Sequence, residues 1–297
     1  MHNRVVITGL GVVAPNGVGL EAFSAALRAG TSGIRHFDRL KELKFSCQIG
    51  GWPEVPEELK TQYLTPLQLR NFLSSAILYG CMAGIDAWRD AGLSVATDEP
   101  RWDTGMVFGA GNSSVDKMRE AAYRLDAGKV KRLGSTTVPQ IMVSGVSAYL
   151  GGLLGLGNQV TTNSSACTTG TESILMAYER IRSGQATRML AGSSSDAGPY
   201  IWGGFDAMKV MNYRYNANPE QASRPLSATA AGFVPGAGAG ALVLESLESA
   251  RARGARIYAE ILGGAANSGG QRQGGTMTAP NPVAVRRCIQ QALDNAG

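Results

Sequence analysis

Apolar and polar positions along the 297-residue chain fall into short blocks whose periods differ. Arg4 to Thr8 is a β-branched run that predicts a strand, while Gly19 to Ala29 and Pro66 to Gly92 predict a short and a long helix. Gly105 to Gly109 predicts a second strand and Arg188 to Gly192 a third. Between those two lies a helix, Glu172 to Ser183, with Ile174, Leu175, Tyr178 and Ile181 on one apolar stripe. Ala239 to Glu245 then reads as a buried strand and Ser246 to Gly254 as a charged helix with a glycine stop. Ile257 to Leu262 is a further strand and Val283 to Asn295 a closing helix. Strands alternating with helices predict α/β layers. Tyr213 to Pro225 is polar and turn-rich and reads as a surface excursion.

Composition narrows this picture. With 44% hydrophobic and 17% charged residues the chain is globular, and we read it as one large domain. No apolar run approaches the roughly 18 residues that a bilayer span needs, so no membrane association is expected. The start runs directly into a strand without a secretory pattern, which predicts a cytoplasmic protein. Four scattered cysteines form no C-x-x-C pair, so neither a metal site nor a disulfide framework is expected. A net charge of +5 without a Lys/Arg block is compatible with an acidic protein partner and does not point to nucleic acid. The 39 glycines predict many tight turns and close backbone approaches.

Three segments are candidates for chemistry. Gly9 to Ala14 formally matches G-x-G-x-x-A, but Pro15-Asn16-Gly17 then dictates a turn where the dinucleotide fingerprint needs a helix, so the match is read as false. Gly232 to Leu244 has glycines at alternate positions leading into a strand, which suits backbone-to-backbone packing. No Gly-Lys-Ser/Thr follows, so it is not read as a phosphate loop. Asn163 to Thr171 puts Cys167 at a strand-to-helix turn. A thiol there faces backbone N–H groups and the positive end of the helix dipole, which favour a thiolate and can stabilise an oxyanion.

From position alone, a structural thiol accounts for Cys167 as well as a nucleophile does. Cys47, Cys81 and Cys288 read as structural. A cysteine hydrolase needs a histidine base within reach, yet the chain has only His2, near its start, and His36, in a polar loop beside Arg35 and Asp38.

Taken in register, Val5 to Gly11, Val138-Pro139, Ser165 to Gly170, Ala222 to Pro225 and Gly232 to Val234 resemble the β-ketoacyl-acyl-carrier-protein synthases, closest to the elongating type. The resemblance runs from Arg4 to the end of the chain. It implies a thiolase-like layered α-β-α-β-α fold of two similar halves. Residues 1–254 would be the first, carrying the nucleophile, and residues 255–297 the beginning of the second. It implies that Cys167 accepts an acyl chain from the phosphopantetheine of an acyl carrier protein, with its own backbone N–H in the oxyanion hole. A malonyl-carrier thioester is then decarboxylated and condensed, with no metal or other cofactor. It further implies substrate contacts from Thr278, near the pantetheine arm, from Asn112, at a usually apolar acyl-pocket position, and from Phe205. Arg70, Lys129, Lys131, Arg132 and Lys209 fall in regions that receive the carrier protein, and residues 158–163 in the strand through which a homodimer or heterodimer pairs.

The chain departs from the family in two ways. The family's H-G-T-G-T and K-x-x-x-G-H motifs and its glycine-rich C-terminal loop are not in this sequence, so the chain is read as the N-terminal portion of a longer protein with the second half truncated. Ser227 to Ala231 and Ala237 stand where the family carries charges. A non-catalytic partner resembling a chain-length factor is therefore the main alternative, and a coenzyme-A-dependent thiolase relative a weaker one.

Overall fold

The fold is built around a sheet whose central strands are buried on both faces. The computed structural model describes residues 2–270 and 279–297. In chain order the strands are β1 (Val5–Ala14), β2 (Gly17–Val18), β3 (Ile34–His36), β4 (Ile49–Gly51), β5 (Thr104–Ala110), β6 (Val160–Thr161), β7 (Arg188–Ser195), β8 (Gly238–Ser246) and β9 (Ala259–Ile261). The main sheet runs β2-β1-β8-β7-β5-β6, and β9 pairs with the Val5–Ile7 part of β1. β5 is parallel to β6 and β7, whereas β8 is antiparallel to both β1 and β7. β3 and β4 form a separate antiparallel pair.

Alternate strand residues feed two cores. Met106, Phe108, Leu190 and Val243 point to the face covered by helices Ser75–Asp90 and Gly145–Leu154. Val107, Met189, Ala191 and Leu244 point to the opposite face, under helix Thr169–Arg182. Strands covered on both sides have no polar face to show, which is why they read as continuous apolar runs. A third cluster, Leu40, Cys47, Ile49, Trp202, Met211 and Ala222, joins the β3–β4 pair to the later loops.

Several sequence expectations change in detail. Pro66 to Gly92 is two helices, Pro66–Leu69 and Ser75–Asp90, because Arg70 is extended and Asn71 takes a left-handed φ of 55°. Long-range contacts hold that break: the Asn71 carbonyl accepts from Lys117 Nζ (3.2 Å) and Gln140 Nε2 (3.3 Å). Ser74 then caps the second helix, its hydroxyl accepting from the Ile77 N–H. The Gly9 to Ala14 segment stays in β1, and its glycines serve packing. A Cβ at Gly11 would lie 1.9 Å from the Ala83 carbonyl oxygen, and one at Gly9 2.2 Å from that of Ala87. In the later glycine run the close approach is at Gly238, where a Cβ would meet the Val13 carbonyl at 2.4 Å, while Gly240 has open space.

One buried acid ties the sheet together. Glu245, at the end of β8, is fully buried and accepts from Arg188 Nε (2.7 Å), Arg253 Nη2 (2.7 Å), Ser249 Oγ (2.7 Å) and Thr8 Oγ1 (3.2 Å). Asp196, just past β7, is also buried and accepts from the N–H groups of Ala76 (3.1 Å) and Val115 (3.3 Å), thereby holding two helix N-termini. Among the described residues no helix is long and apolar enough to cross a membrane.

Candidate active site

Cys167 is exposed and lies in the short 3-10 turn Ala166–Thr168 that leads directly into helix Thr169–Arg182. Three side chains hold the turn. Asn163 accepts from Ser173 Oγ at 2.6 Å through its Oδ1 and donates from Nδ2 to the Thr169 carbonyl at 2.9 Å. The Thr169 hydroxyl accepts the Ser165 N–H (2.9 Å), and the Thr168 hydroxyl donates to the Ser165 carbonyl (2.9 Å). Ala166, immediately before the thiol, has φ 53°, a left-handed conformation that costs an alanine about 1 kcal/mol and is held by the bonds around it. The turn sits tightly on β5: a Cβ at Gly109 would lie 2.1 Å from Thr169 Cγ2 and 2.5 Å from Asn163 Oδ1.

A cavity of about 640 Å³ opens beside the thiol, within the size range of small-molecule sites. Its walls come from helix Pro199–Ala207, which contributes Trp202 and Phe205, and from residues 222–236, which contribute Arg224, Phe233 and Val234. Asp206 fixes that helix by accepting the N–H groups of Ser46 (2.9 Å) and Cys47 (3.0 Å). Buried Asn212 fixes the start of the following excursion, donating to the Ala222 carbonyl (3.0 Å) and accepting from the Arg214 N–H (3.1 Å). Tyr213 to Pro225 is thus a surface segment pinned from beneath.

The other thiols have different surroundings. Burial pushes the Cys81 thiol up to about 12, and burial is also the main cause that raises Cys47. Cys288 is half-buried, its thiol 3.4 Å from the Ala265 carbonyl. His36 lies on β3, its Nε2 3.3 Å from Gln48 Oε1, and is not part of the cavity wall. Among the described residues no three His, Cys, Asp or Glu side chains are grouped to hold a metal ion.

Residues 2–250 match the model of the β-ketoacyl synthase N-terminal domain. The chain belongs to the β-ketoacyl synthase family. It is 35% identical over 294 residues to 3-oxoacyl-[acyl-carrier-protein] synthase 1 of Escherichia coli strain K12, covering 98% of this chain and 70% of that protein. A type II polyketide ketosynthase, solved in complex with its acyl-carrier protein, superposes with a TM-score of 0.84 at 29% identity, over 100% of this chain and 70% of that one. The ishigamide ketosynthase/chain length factor superposes with a TM-score of 0.83 at 29% identity, with the same coverage. The sheet with helices on both faces is accordingly the N-terminal part of the thiolase-like ketosynthase fold.

Within this family framework, the structure brings Phe205 to the Cys167 cavity. Asn112 is half-buried in the loop between β5 and helix Val115–Asp126 and is not part of that cavity's wall. Thr278 lies outside the described residues. Arg70, Lys129, Lys131, Arg132 and Lys209 are all exposed. Lys129, Lys131 and Arg132 follow helix Val115–Asp126, Arg70 follows Pro66–Leu69, and Lys209 follows Pro199–Ala207. Sequence reasoning missed Trp202, Met211 and Arg224 as wall residues, together with the helix that carries Trp202. Gly198-Pro199, with proline in the first helical turn, was the available signal for that helix.

Proposed function

We propose that this chain carries the acyl-accepting site of a 3-oxoacyl-acyl-carrier-protein synthase. The observation that carries the reading is an exposed Cys167 at a braced strand-to-helix turn, opening into a largely apolar cavity. In the reaction, the Cys167 sulfur attacks the carbonyl of an acyl-carrier thioester. A new thioester forms on Sγ, the donor's C–S bond breaks, and the pantetheine thiol leaves with the proton. The backbone N–H of Cys167 serves as an oxyanion donor in this reading. Decarboxylative condensation with malonyl-carrier protein follows in the complete synthase and rests on family membership.

Arg70, Lys129, Lys131, Arg132 and Lys209 are proposed to receive the acidic carrier protein, since all five are exposed and cationic. Pairing with a second synthase subunit is proposed through β6, which ends the sheet order. Residues 255–297 would open the second half of the fold, and Asn112 and Thr278 remain proposed substrate contacts.

Incubation with an acyl-carrier thioester followed by intact mass measurement tests the reading. A single acyl adduct that disappears in Cys167→Ala is expected; no adduct, or one that survives the substitution, would overturn it. The uncharged Ser227 to Ala231 stretch, which contributes Ala230 and Ala231 to the cavity wall, favours the second reading of a chain-length-factor-like partner. Unaided condensation of malonyl units by a homodimer would rule that out.

A further inference from the structure

We propose that Asn163 is a positioning residue for acyl transfer: with Ser173 it holds the backbone N–H of Cys167 where the oxyanion of the tetrahedral intermediate forms. This rests on the reading of Cys167 as the acyl acceptor. Asn163 spans the turn that carries the thiol. Its carbonyl accepts the Ala110 N–H at 3.2 Å, which fixes it to the end of β5, while its side chain reaches the first turn of helix Thr169–Arg182. Both ends of the amide are used there, Oδ1 accepting from Ser173 Oγ at 2.6 Å and Nδ2 donating to the Thr169 carbonyl at 2.9 Å. Ser173 is fully buried, and its hydroxyl also lies 2.9 Å from the Thr169 carbonyl. Toward β5 the pair has no room to shift, since a Cβ on Gly109 would lie 2.5 Å from Asn163 Oδ1 and 3.0 Å from Ser173 Oγ.

Residues 164–168 therefore cross between two fixed points, and among them Ala166 takes its left-handed φ of 53°. A conformation of that cost persists only where the surrounding bonds over-determine it. The Cys167 N–H that follows donates to no group among the described residues, so it is free for a substrate oxygen. Attack by the sulfur on a thioester carbonyl moves the C=O electron pair onto oxygen, and an N–H already fixed beside that oxygen stabilises the intermediate without reorganising. The acidity of the thiol has another origin, its exposed place at the start of a helix, and does not depend on the Asn163 amide. Loss of the amide should thus slow acyl transfer but not alkylation of the same sulfur, a displacement at saturated carbon that forms no oxyanion.

The test measures two reactions of Cys167 in the 297-residue chain at one pH: transfer from butyryl-pantetheine, followed by intact mass, and alkylation by iodoacetamide. In Asn163→Ala the maximal transfer rate should fall about 10- to 100-fold, the scale of misplacing one oxyanion donor. The half-saturating donor concentration and the alkylation rate should stay within about threefold of wild type, as for an interaction made only in the transition state. Ser173→Ala removes one hydrogen bond and should slow transfer by about 3- to 10-fold. The double variant should be no slower than Asn163→Ala, because the two groups act as a unit. Where Asn163→Ala does not fold, Ser173→Ala carries the same comparison. Transfer at the wild-type rate would overturn the proposal, as would a parallel fall in transfer and alkylation, which would make the amide a support of the fold or of thiol reactivity. A loss confined to the half-saturating concentration would also overturn it, by placing the effect on donor binding. Wild-type transfer with unaffected variants sinks only this inference; alkylation of Cys167 without any wild-type transfer sinks the acyl-acceptor reading as well.

Discussion

At the scale of single residues, chemistry here is decided by what surrounds a thiol. Cys81 and Cys167 are the same side chain, yet Cys81 is enclosed in helix Ser75–Asp90 and pushed up to about 12 by burial, whereas Cys167 is exposed on its turn. Because the thiolate is the reacting form, iodoacetamide at about pH 8 should label Cys167 in the native protein while Cys47 and Cys81 react only after denaturation. Peptide mass mapping checks this, and native labelling of Cys81 would contradict its burial. The location of Cys167 was legible in the sequence because a strand, a run of small residues and an amphipathic helix are all local patterns. The left-handed φ of Ala166 was not, since its cost is met by Asn163, Thr168 and Thr169 acting together.

At the scale of elements, the fit of β1 against helix Ser75–Asp90 sets the geometry of the first core. A Cβ at Gly11 would lie 1.9 Å from the Ala83 carbonyl oxygen of that helix, so Gly11→Val should destabilise the protein by about 1–3 kcal/mol, the usual range for forcing extra atoms into a packed interior. Gly240→Ala, on the neighbouring β8 and facing open space, should stay within about 0.5 kcal/mol. Urea denaturation of the two variants makes the comparison, and a Gly11→Val protein as stable as wild type would refute the packing account. The long strands and the helices Leu20–Ala29, Ser75–Asp90, Thr169–Arg182 and Pro282–Ala296 were legible from periodicity, with shifted ends, whereas helices Val115–Asp126 and Gly145–Leu154 and the short strands β2, β3 and β4 were not. The division of Pro66 to Gly92 was not, because the groups that stabilise it, Lys117 and Gln140, come from far along the chain.

At the scale of the whole molecule, Glu245 joins β1, β7, β8 and the helix after β8 through one buried carboxylate. Burial by itself pushes its pKa up, but the hydrogen bonds from Arg253, Ser249 and Arg188 outweigh that and hold it below the ordinary carboxylate range. A depressed folded pKa means that its stabilisation is complete above the unfolded value of about 4.3 and is lost as pH falls through the folded one. Glu245→Gln should therefore cost about 3–5 kcal/mol at neutral pH, since it leaves two arginines without their partner. The gap from wild type should shrink in thermal melts below about pH 4; a gap that is constant with pH would contradict the assignment. The sequence by itself determined the α/β class, the buried strands and the turn that carries Cys167, because each is written in neighbouring residues. Only the tertiary structure decided that Arg224, Trp202 and Phe205 share a cavity with that thiol, that the glycines of β1 serve packing, and that Glu245 is enclosed by its arginines. Apart from the Arg253–Glu245 pair, which is eight residues apart, those facts depend on segments tens of residues or more apart meeting in space, and no local period or turn signal encodes such a meeting.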